Sequence, residues 1–471
     1  MTPTREFDVV VIGAGPAGTA AALRAGDLGA KTALITRGAF GGMAANEGPI
    51  PVRTLAHAAR LAREARQLAR YGIGVERPTL DYTRLVERAR EVVGEARLHS
   101  TLLEQITNAG VAQFEHTGTA EFTDAHTIRS ESAPQLRGER IVIAAGGVSR
   151  ALDVPGAELT VTPADAFSLM AVPRSMIVIG AGATGAQVAS IFSALGASVT
   201  LCQAGPRIIA SEDAEVSDAV AAAFREDGIA IYEGFGAIER IEAVPNGVSV
   251  TLAGAKGPPL EAELVVCATG WRADTNALCL PRAGVSTNAR GFIEVDDSLK
   301  TSAAHIYAAG DVIGRSMLVP RAVRDGFIAG NNAAGAEQRT VPAAIEPIGS
   351  FTDPEYAKVG LTEEQARAQH DTIVASASYA ETTRPIIDGR TRGFCKLVID
   401  RSTRRFLGCH IVGERAVEVA QMAAIAMTAE MTVDAVARIP LSFPTYANVF
   451  GRAALRAVRR LGPILGADAL Y

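Results

Sequence analysis

The 471-residue chain has five cysteines, Cys202, Cys267, Cys279, Cys395 and Cys409, scattered so that no CxxC or comparable metal or redox spacing occurs. Cys202 and Cys267 sit in apolar strand-like runs, which is how a small buried hydrophobe is used. No electropositive, exposed surroundings mark any of the five for catalysis. An excess of positive charge is missing too. A formal net charge of -5 speaks against a nucleic-acid binder and gives no hint of a polyanionic partner. Nor is there an apolar run approaching the roughly 18 residues that span a bilayer; the run from Val419 is ended by Glu430. MTPTREFDVVVIGAG carries no basic segment followed by a signal-type apolar stretch and runs straight into a strand. The expectation is a soluble, cytoplasmic protein without a transmembrane segment. With 48% hydrophobic and 21% charged residues the chain can build large cores, and its length suggests about three domains.

FDVVVIGAGPAGTAAALRAGDLGAKTALIT predicts a buried parallel strand, a tight turn, a helix and a second strand, with Gly13, Gly15 and Gly18 in GxGxxG positions. The first glycine makes the turn, the second lets backbone approach a pyrophosphate, and the third lets helix pack on strand. The phosphates then lie at the positive helix N-terminus. At the end of the second strand, where an acid would hold a ribose diol, stands Thr36, whose hydroxyl can still hydrogen-bond. GGMAANEGPIPVRTL follows at 41–55, then helices are predicted over Thr54–Arg70 and Asp81–Val93. ERIVIAAGG reads as a strand ending at Ala145 and Gly146.

SMIVIGAGATGAQVASIFSALGASVTLCQ repeats the unit with Gly180, Gly182 and Gly185. Two such units allow one FAD and one nicotinamide dinucleotide, both of which hydride chemistry needs. Gln203 stands where an acid would accept the 2'-hydroxyl bond of NADH and repel the phosphate of NADPH. A neutral amide rejects neither, and Arg207 is near enough in sequence to meet a 2'-phosphate, so the choice stays open. HIYAAGDV places Asp311 at a strand's C-terminal end, suited to accept a hydroxyl bond. From about Pro347 the character changes to an α+β domain.

GAGPAG at 13–18, FGG at 40–42, GAGATG at 180–185, ATGWRADT at 268–275 with Gly270, YAAGDV at 307–312, FTDPE at 351–355 and HIVG at 410–413 together resemble the pyridine nucleotide-disulfide oxidoreductase family. Dihydrolipoamide dehydrogenase, mercuric reductase and soluble transhydrogenase are of this kind. The resemblance implies an α/β fold with two Rossmann-like domains, FAD-binding at 1–150 and 275–340 and NAD(P)-binding at 151–274. A C-terminal α+β dimerisation domain at 345–471 follows. It also implies a homodimer whose partner completes the active site, with Gly41 and Gly42 pressed against the flavin.

The departures fall on the chemistry. The family's GGTCLNVGCIPSK resembles 41–53 with Ala44 and Pro49 in place of the two cysteines and Arg53 in place of the lysine. Its C-terminal HPTxxE is matched by FPTYAN, with Phe443 and Asn448 for the His and Glu, and the Glu that pairs the lysine is matched by Gln187. A member so altered is expected to be an FAD-dependent NAD(P)H oxidoreductase without a redox-active disulfide, handing a hydride to a small acceptor. Met43, Ala44 and Pro49, with the partner's Phe443 and Tyr446, would form an apolar slot suited to a quinone. Transhydrogenation, a nucleotide-sensing flavoprotein and a dead enzyme are the alternatives. Arg53 could favour negative charge on the reduced flavin or turn to Glu47 or solvent. Tyr446 could give a proton to a quinone oxygen or only pack. The tail sets Arg452, Arg456, Arg459 and Arg460 on one helical face, either a solvated face or a collar steering an anionic acceptor. Met422, Met427 and Met431 read as core or dimer packing.

Overall fold

The computed structural model describes residues 4–74, 76, 79–99, 101–254, 257–342 and 345–462. Its backbone divides into two compact units, Met1–Leu55, Asp81–Arg150 and Gly270–Ala343 in the first, Ala56–Leu80, Ala151–Thr269 and Ala344–Tyr471 in the second.

In the first unit the central strand, Arg5–Ile12, pairs in parallel with Thr32–Ile35 on one side and Leu136–Ile143 on the other; Ile306–Ala308 is parallel to the last of these. Val9, Val10 and Val11 are fully buried, as continuous apolar runs must be in a sheet covered on both faces. Two helices, Pro16–Asp27 and Val319–Ala333, lie against each other at very short range. A Cβ on Gly326 would stand 2.0 Å from Ala17 O, and one on Gly330 2.2 Å from Ala21 O. A two-stranded ribbon, Gly147–Ser149 with Trp271–Ala273, belongs to the same unit.

The second unit holds a four-stranded parallel sheet in the order Ala230–Glu233, Ser198–Gln203, Ser175–Ile179, Leu264–Cys267, with a three-stranded antiparallel sheet beside it. It also holds a five-stranded antiparallel sheet that starts at Ile348–Ser350 and has Thr372–Ser378 at one edge. Helices Ala416–Thr428 and Ala447–Leu461 pack on that sheet.

Several boundaries differ from the sequence reading. The residues from Ala56 to Leu80 belong with the second unit because Arg63 donates to Ser190 O at 2.7 Å, Arg66 to Ala194 O at 3.1 Å, and Arg60 pairs with Glu414 at 2.5 Å. The return to the first unit comes at Gly270, ahead of 275, since Trp271 pairs with Ser149. The helix expected over Thr54–Arg70 runs Pro49–Ala65; Pro49 and Pro51 fit a first turn, where N–H groups have no intrahelical partner. The next helix is Tyr82–His99, longer than Asp81–Val93.

On the basic face of the last helix Arg452, Arg459 and Arg460 are exposed and Arg456 is half-buried, and three of the four also reach backbone carbonyls. Arg452 donates to Glu381 O at 2.6 Å, Arg456 to Ser376 O at 2.7 Å, and Arg460 to Val374 O. These carbonyls lie along the edge strand or just beyond it, and edge strands must be covered to avoid pairing with other chains. Met422, Met427 and Met431 pack half-buried on the core of this sheet and its helices. Cys395 and Cys409, 14 residues apart in sequence, come together with sulfurs 3.9 Å apart and no exposed surface. Among the described residues no helix is long and apolar enough to cross a membrane.

Candidate functional site

In the first unit Gly13 has φ +103° and a Cβ there would lie 2.2 Å from Ala144 O, so only glycine fits the turn. A Cβ on Gly18 would stand 1.7 Å from Gly13 O, which is why the helix can sit so close to the strand. Gly15 precedes a helix that starts with Pro16 and has no side chain bonded to its first N–H groups. Those groups are left for an anion. The stretch after the second strand is fastened to this loop: Gly41 N–H donates to Ala14 O at 2.8 Å, and Gly42, at φ +57°, leaves room for a Cβ only 2.7 Å from Gly15 Cα.

The segment that follows is helical at Gly42–Asn46 and again from Pro49. Met43 O accepts the N–H groups of Glu47 and Gly48. Asn46 donates to Phe40 O at 3.4 Å and accepts from Arg97. This clamp from the helix Tyr82–His99 was not visible in the sequence, because the partners are 51 residues apart. Met43 and Ala44 are half-buried; Pro49 and Arg53 are exposed.

Thr36 uses its backbone on Phe114 and Thr117. Next to it Arg37 pairs with Asp274 at 3.2 Å. Ala145 packs against the core, Gly146 O accepts the Asp274 N–H at 3.1 Å, and Gly270 O accepts Arg150 N–H at 2.9 Å. Asp311 lies in the turn Gly310–Ile313, where burial pushes its carboxyl up. Asp311 is half-buried at a strand's C-terminal end, where a carboxylate can accept hydrogen bonds from hydroxyl groups.

The second cradle repeats the first. A Cβ on Gly180 would come within 2.4 Å of Ala268 O, and one on Gly185 within 1.8 Å of Gly180 O; around Gly182 there is open space. The helix Ala183–Leu195 again begins with no side-chain cap. Gln203 Oε1 accepts the Ala181 N–H at 2.9 Å, and Arg207 donates to Ala210 O and Glu212 O, both at 3.4 Å. Gln187 accepts from Phe351 N–H at 3.4 Å and donates to Ala183 O at 3.3 Å.

In the same unit Phe443 is 74% exposed and precedes a cis proline. Asn448 accepts the Thr445 N–H at 2.8 Å and donates to Ser442 O at 3.3 Å, closing the turn around Phe443. Tyr446 donates its hydroxyl to Asp388 at 2.8 Å, while Arg384 donates to the same oxygen at 2.7 Å. Burial and then the Asp388 bond push the tyrosine well above its ordinary range. Burial would raise Asp388, but the bonds from Arg384 and Tyr446 carry it below the usual carboxylate range. Asp388 is a partner that sequence reasoning missed. The expected site residues thus fall into two groups, Met43 and Arg53 in the first unit, Gln187, Phe443 and Tyr446 in the second.

Two glycine cradles on parallel sheets, each opening on an uncapped helix, with an antiparallel sheet domain after them, define a two-nucleotide oxidoreductase. Residues 7–326 match the pyridine nucleotide-disulphide oxidoreductase family, and residues 347–454 match its dimerisation domain. The chain belongs to that family, whose members use FAD and NAD(P)H. It is 31% identical over 466 residues to a dihydrolipoyl dehydrogenase of Chlorobaculum tepidum, covering 98% of this chain and 99% of that one. A mercuric reductase of Bacillus cereus is 33% identical over 433 residues, 91% of this chain and 68% of its own. Among solved structures, the HOCl-induced flavoprotein disulfide reductase RclA from Escherichia coli superposes with a TM-score of 0.84 at 27% identity, covering 95% of this chain and 99% of RclA.

Proposed function

We propose that this chain is an FAD-dependent NAD(P)H oxidoreductase whose acceptor is not a disulfide but a small, flat molecule, a quinone foremost. One observation carries the reading. The segment after Gly41 keeps its fastening to the Gly13–Gly15 loop while presenting Ala44 and Pro49 instead of thiols. The residues of the first cradle fit FAD, through the glycine contacts, the uncapped helix and the place of Asp311 after the strand Ile306–Ala308. When bound, FAD supplies a two-electron carrier between nicotinamide and acceptor. The net reaction balances as NAD(P)H, one proton and a quinone giving NAD(P)+ and a quinol.

On this reading Met43 and Ala44 offer the acceptor an apolar wall, to which a partner subunit adds the exposed Phe443 ring and the Tyr446 ring. Stacking and desolvation would then hold a weakly polar ring. Arg53 serves as the fixed cation of the site and Gln187 as a neutral neighbour of the nicotinamide. Because the Tyr446 hydroxyl already donates to Asp388, a proton for the quinone would have to come through that pair or from water. The relatives named above include disulfide reductases; the difference in this chain is the cysteine-free segment itself.

Anaerobic stopped flow of the FAD-loaded protein tests this. NADH or NADPH should bleach the flavin absorbance, and a soluble naphthoquinone should restore it far faster than oxygen does. A reduced flavin indifferent to quinone sinks the proposal. Hydride exchange between NADPH and a thio-NAD analogue would favour transhydrogenation, and nucleotide binding without bleaching a sensing role.

A further inference from the structure

Within the second unit, between the strand Ser198–Gln203 and the helix Ala214–Glu226, the chain makes a turn of unusual backbone. Ile209 there has φ +39° and is buried. A β-branched residue is strained in that region and stays in it only when its surroundings hold it. Both of its backbone groups are taken: the N–H donates to Ala181 O at 2.7 Å, and the O accepts the Glu212 N–H at 2.9 Å. Ala181 is the middle residue of the loop Gly180–Gly182, after which the uncapped helix opens. The strained residue therefore joins the cradle to the acidic run of Glu212 and Asp213.

That run is gripped from the C-terminal sheet. Lys358, His410 and Lys396 are direct neighbours across three adjacent strands, so their side chains share one face. Lys358 Nζ meets Glu212 at 2.9 Å and donates to Ser211 O at 2.6 Å. Lys396 meets Asp213 at 2.9 Å. Glu212 and Asp213 are both buried, where ion pairs are little screened by salt and the loss of one partner strands a charge. The two grips are not equivalent. Asp213 has the N–H groups of Glu215 and Glu363 besides its lysine, at 3.2 and 3.1 Å. The Glu212 carboxylate has Lys358 and the Ser211 hydroxyl, at 3.1 Å.

We propose that Lys358 is a positioning residue for the nicotinamide dinucleotide. From the C-terminal sheet it clamps Ser211 and Glu212, keeps Ile209 at positive φ, and through the Ile209 N–H fixes the glycine loop on which a pyrophosphate would lie. The clamp bears on the part that NADH and NADPH share and does not choose between them. It rests on the family's use of NAD(P)H and is independent of the acceptor proposed above.

Calorimetric titration of the FAD-loaded protein with ADP-ribose tests this without any redox step. Lys358→Met keeps the stem, removes the charge and should weaken binding about tenfold, the size of a released backbone strain. Lys358→Arg should stay within about threefold of wild type. A double-mutant cycle separates positioning from general stability. Glycine holds positive φ unaided, so in an Ile209→Gly background the added Lys358→Met should weaken binding by at most about twofold. Equal losses in both backgrounds overturn the proposal, as does a Lys358→Met protein within about twofold of wild type, or a wild type that does not bind ADP-ribose. If Ile209→Gly does not fold, Glu212→Gln replaces it in the cycle. Alone it should weaken binding as much as Lys358→Met, and the two together no more than either; additive losses overturn the proposal.

Discussion

Ala44 and Pro49 bear on how many electrons the protein can store. A disulfide beside a flavin would accept two electrons in addition to the flavin's own two. All five cysteines here are free, Cys202, Cys267, Cys395 and Cys409 are buried, and burial pushes the Cys202 thiol up to about 12. Cys395 and Cys409 are adjacent, yet wholly enclosed in a sheet. Anaerobic dithionite titration should therefore bleach the flavin fully at about one two-electron equivalent per FAD, where a flavin plus a disulfide takes about two. An end point near two would place a working disulfide somewhere in the fold. At this scale the glycine positions were readable, because backbone sterics leave so few residues that fit. The partners of long polar side chains were not. Nothing local announces that Tyr446 will donate to Asp388 or that Lys396 will meet Asp213, 183 residues away.

Among the elements, the tightest joint is between the helices Pro16–Asp27 and Val319–Ala333. Glycine in a helix interior ordinarily costs about 0.5–1 kcal/mol relative to alanine, so Gly330→Ala would stabilise an open site. Here the new Cβ would stand 2.2 Å from Ala21 O. Overpacking of that kind costs about 1–3 kcal/mol, and it would shift the helix whose N-terminus follows Gly15. Urea unfolding should show lower stability, with weaker FAD retention on gel filtration; a stabilised variant would mean the helices have room to part. The helix and strand types were legible from periodicity, and their ends less so. Proline at 49 and 51 was part of a helix start rather than of a loop before it. The arginines of Ala447–Leu461 could not be placed from spacing alone, since a basic stripe looks the same whether it faces water or the carbonyls of an edge strand.

Over the whole molecule, the C-terminal antiparallel sheet and the second parallel sheet fall in one compact unit and share buried polar contacts. Lys396, 1% exposed, meets Asp213 at 2.9 Å, Glu215 at 2.8 Å and Glu363 at 2.6 Å. Near this cluster His410 is fully buried, donating through Nε2 to Leu361 O at 2.9 Å, and its Nδ1 has no hydrogen-bond partner among the described residues. Asp213, Glu212 and Lys396 are the charged groups that act on it. Burial wins and holds the imidazole below its ordinary 6.5. The unfolded chain therefore takes up the proton first. The stability present above pH 6.5 should decline as pH falls from 6.5 through the folded value, with a slope of at most about 1.4 kcal/mol per pH unit. Chemical denaturation across that window should show the slope in wild type and lose it in His410→Asn. An equal slope in both would assign the proton elsewhere. Asp213 behaves differently: burial raises it, but the Lys396 bond carries it below its ordinary value, so its contribution is lost only at more acid pH.

The ribbon of Gly147–Ser149 and Trp271–Ala273 contains the chain's single tryptophan. Indole emission from this protein therefore has one source, half-buried, on a ribbon of the first unit. Any quenching or recovery of that light during cofactor loading or denaturation refers to one known address, and the first unit can be followed by itself without a label.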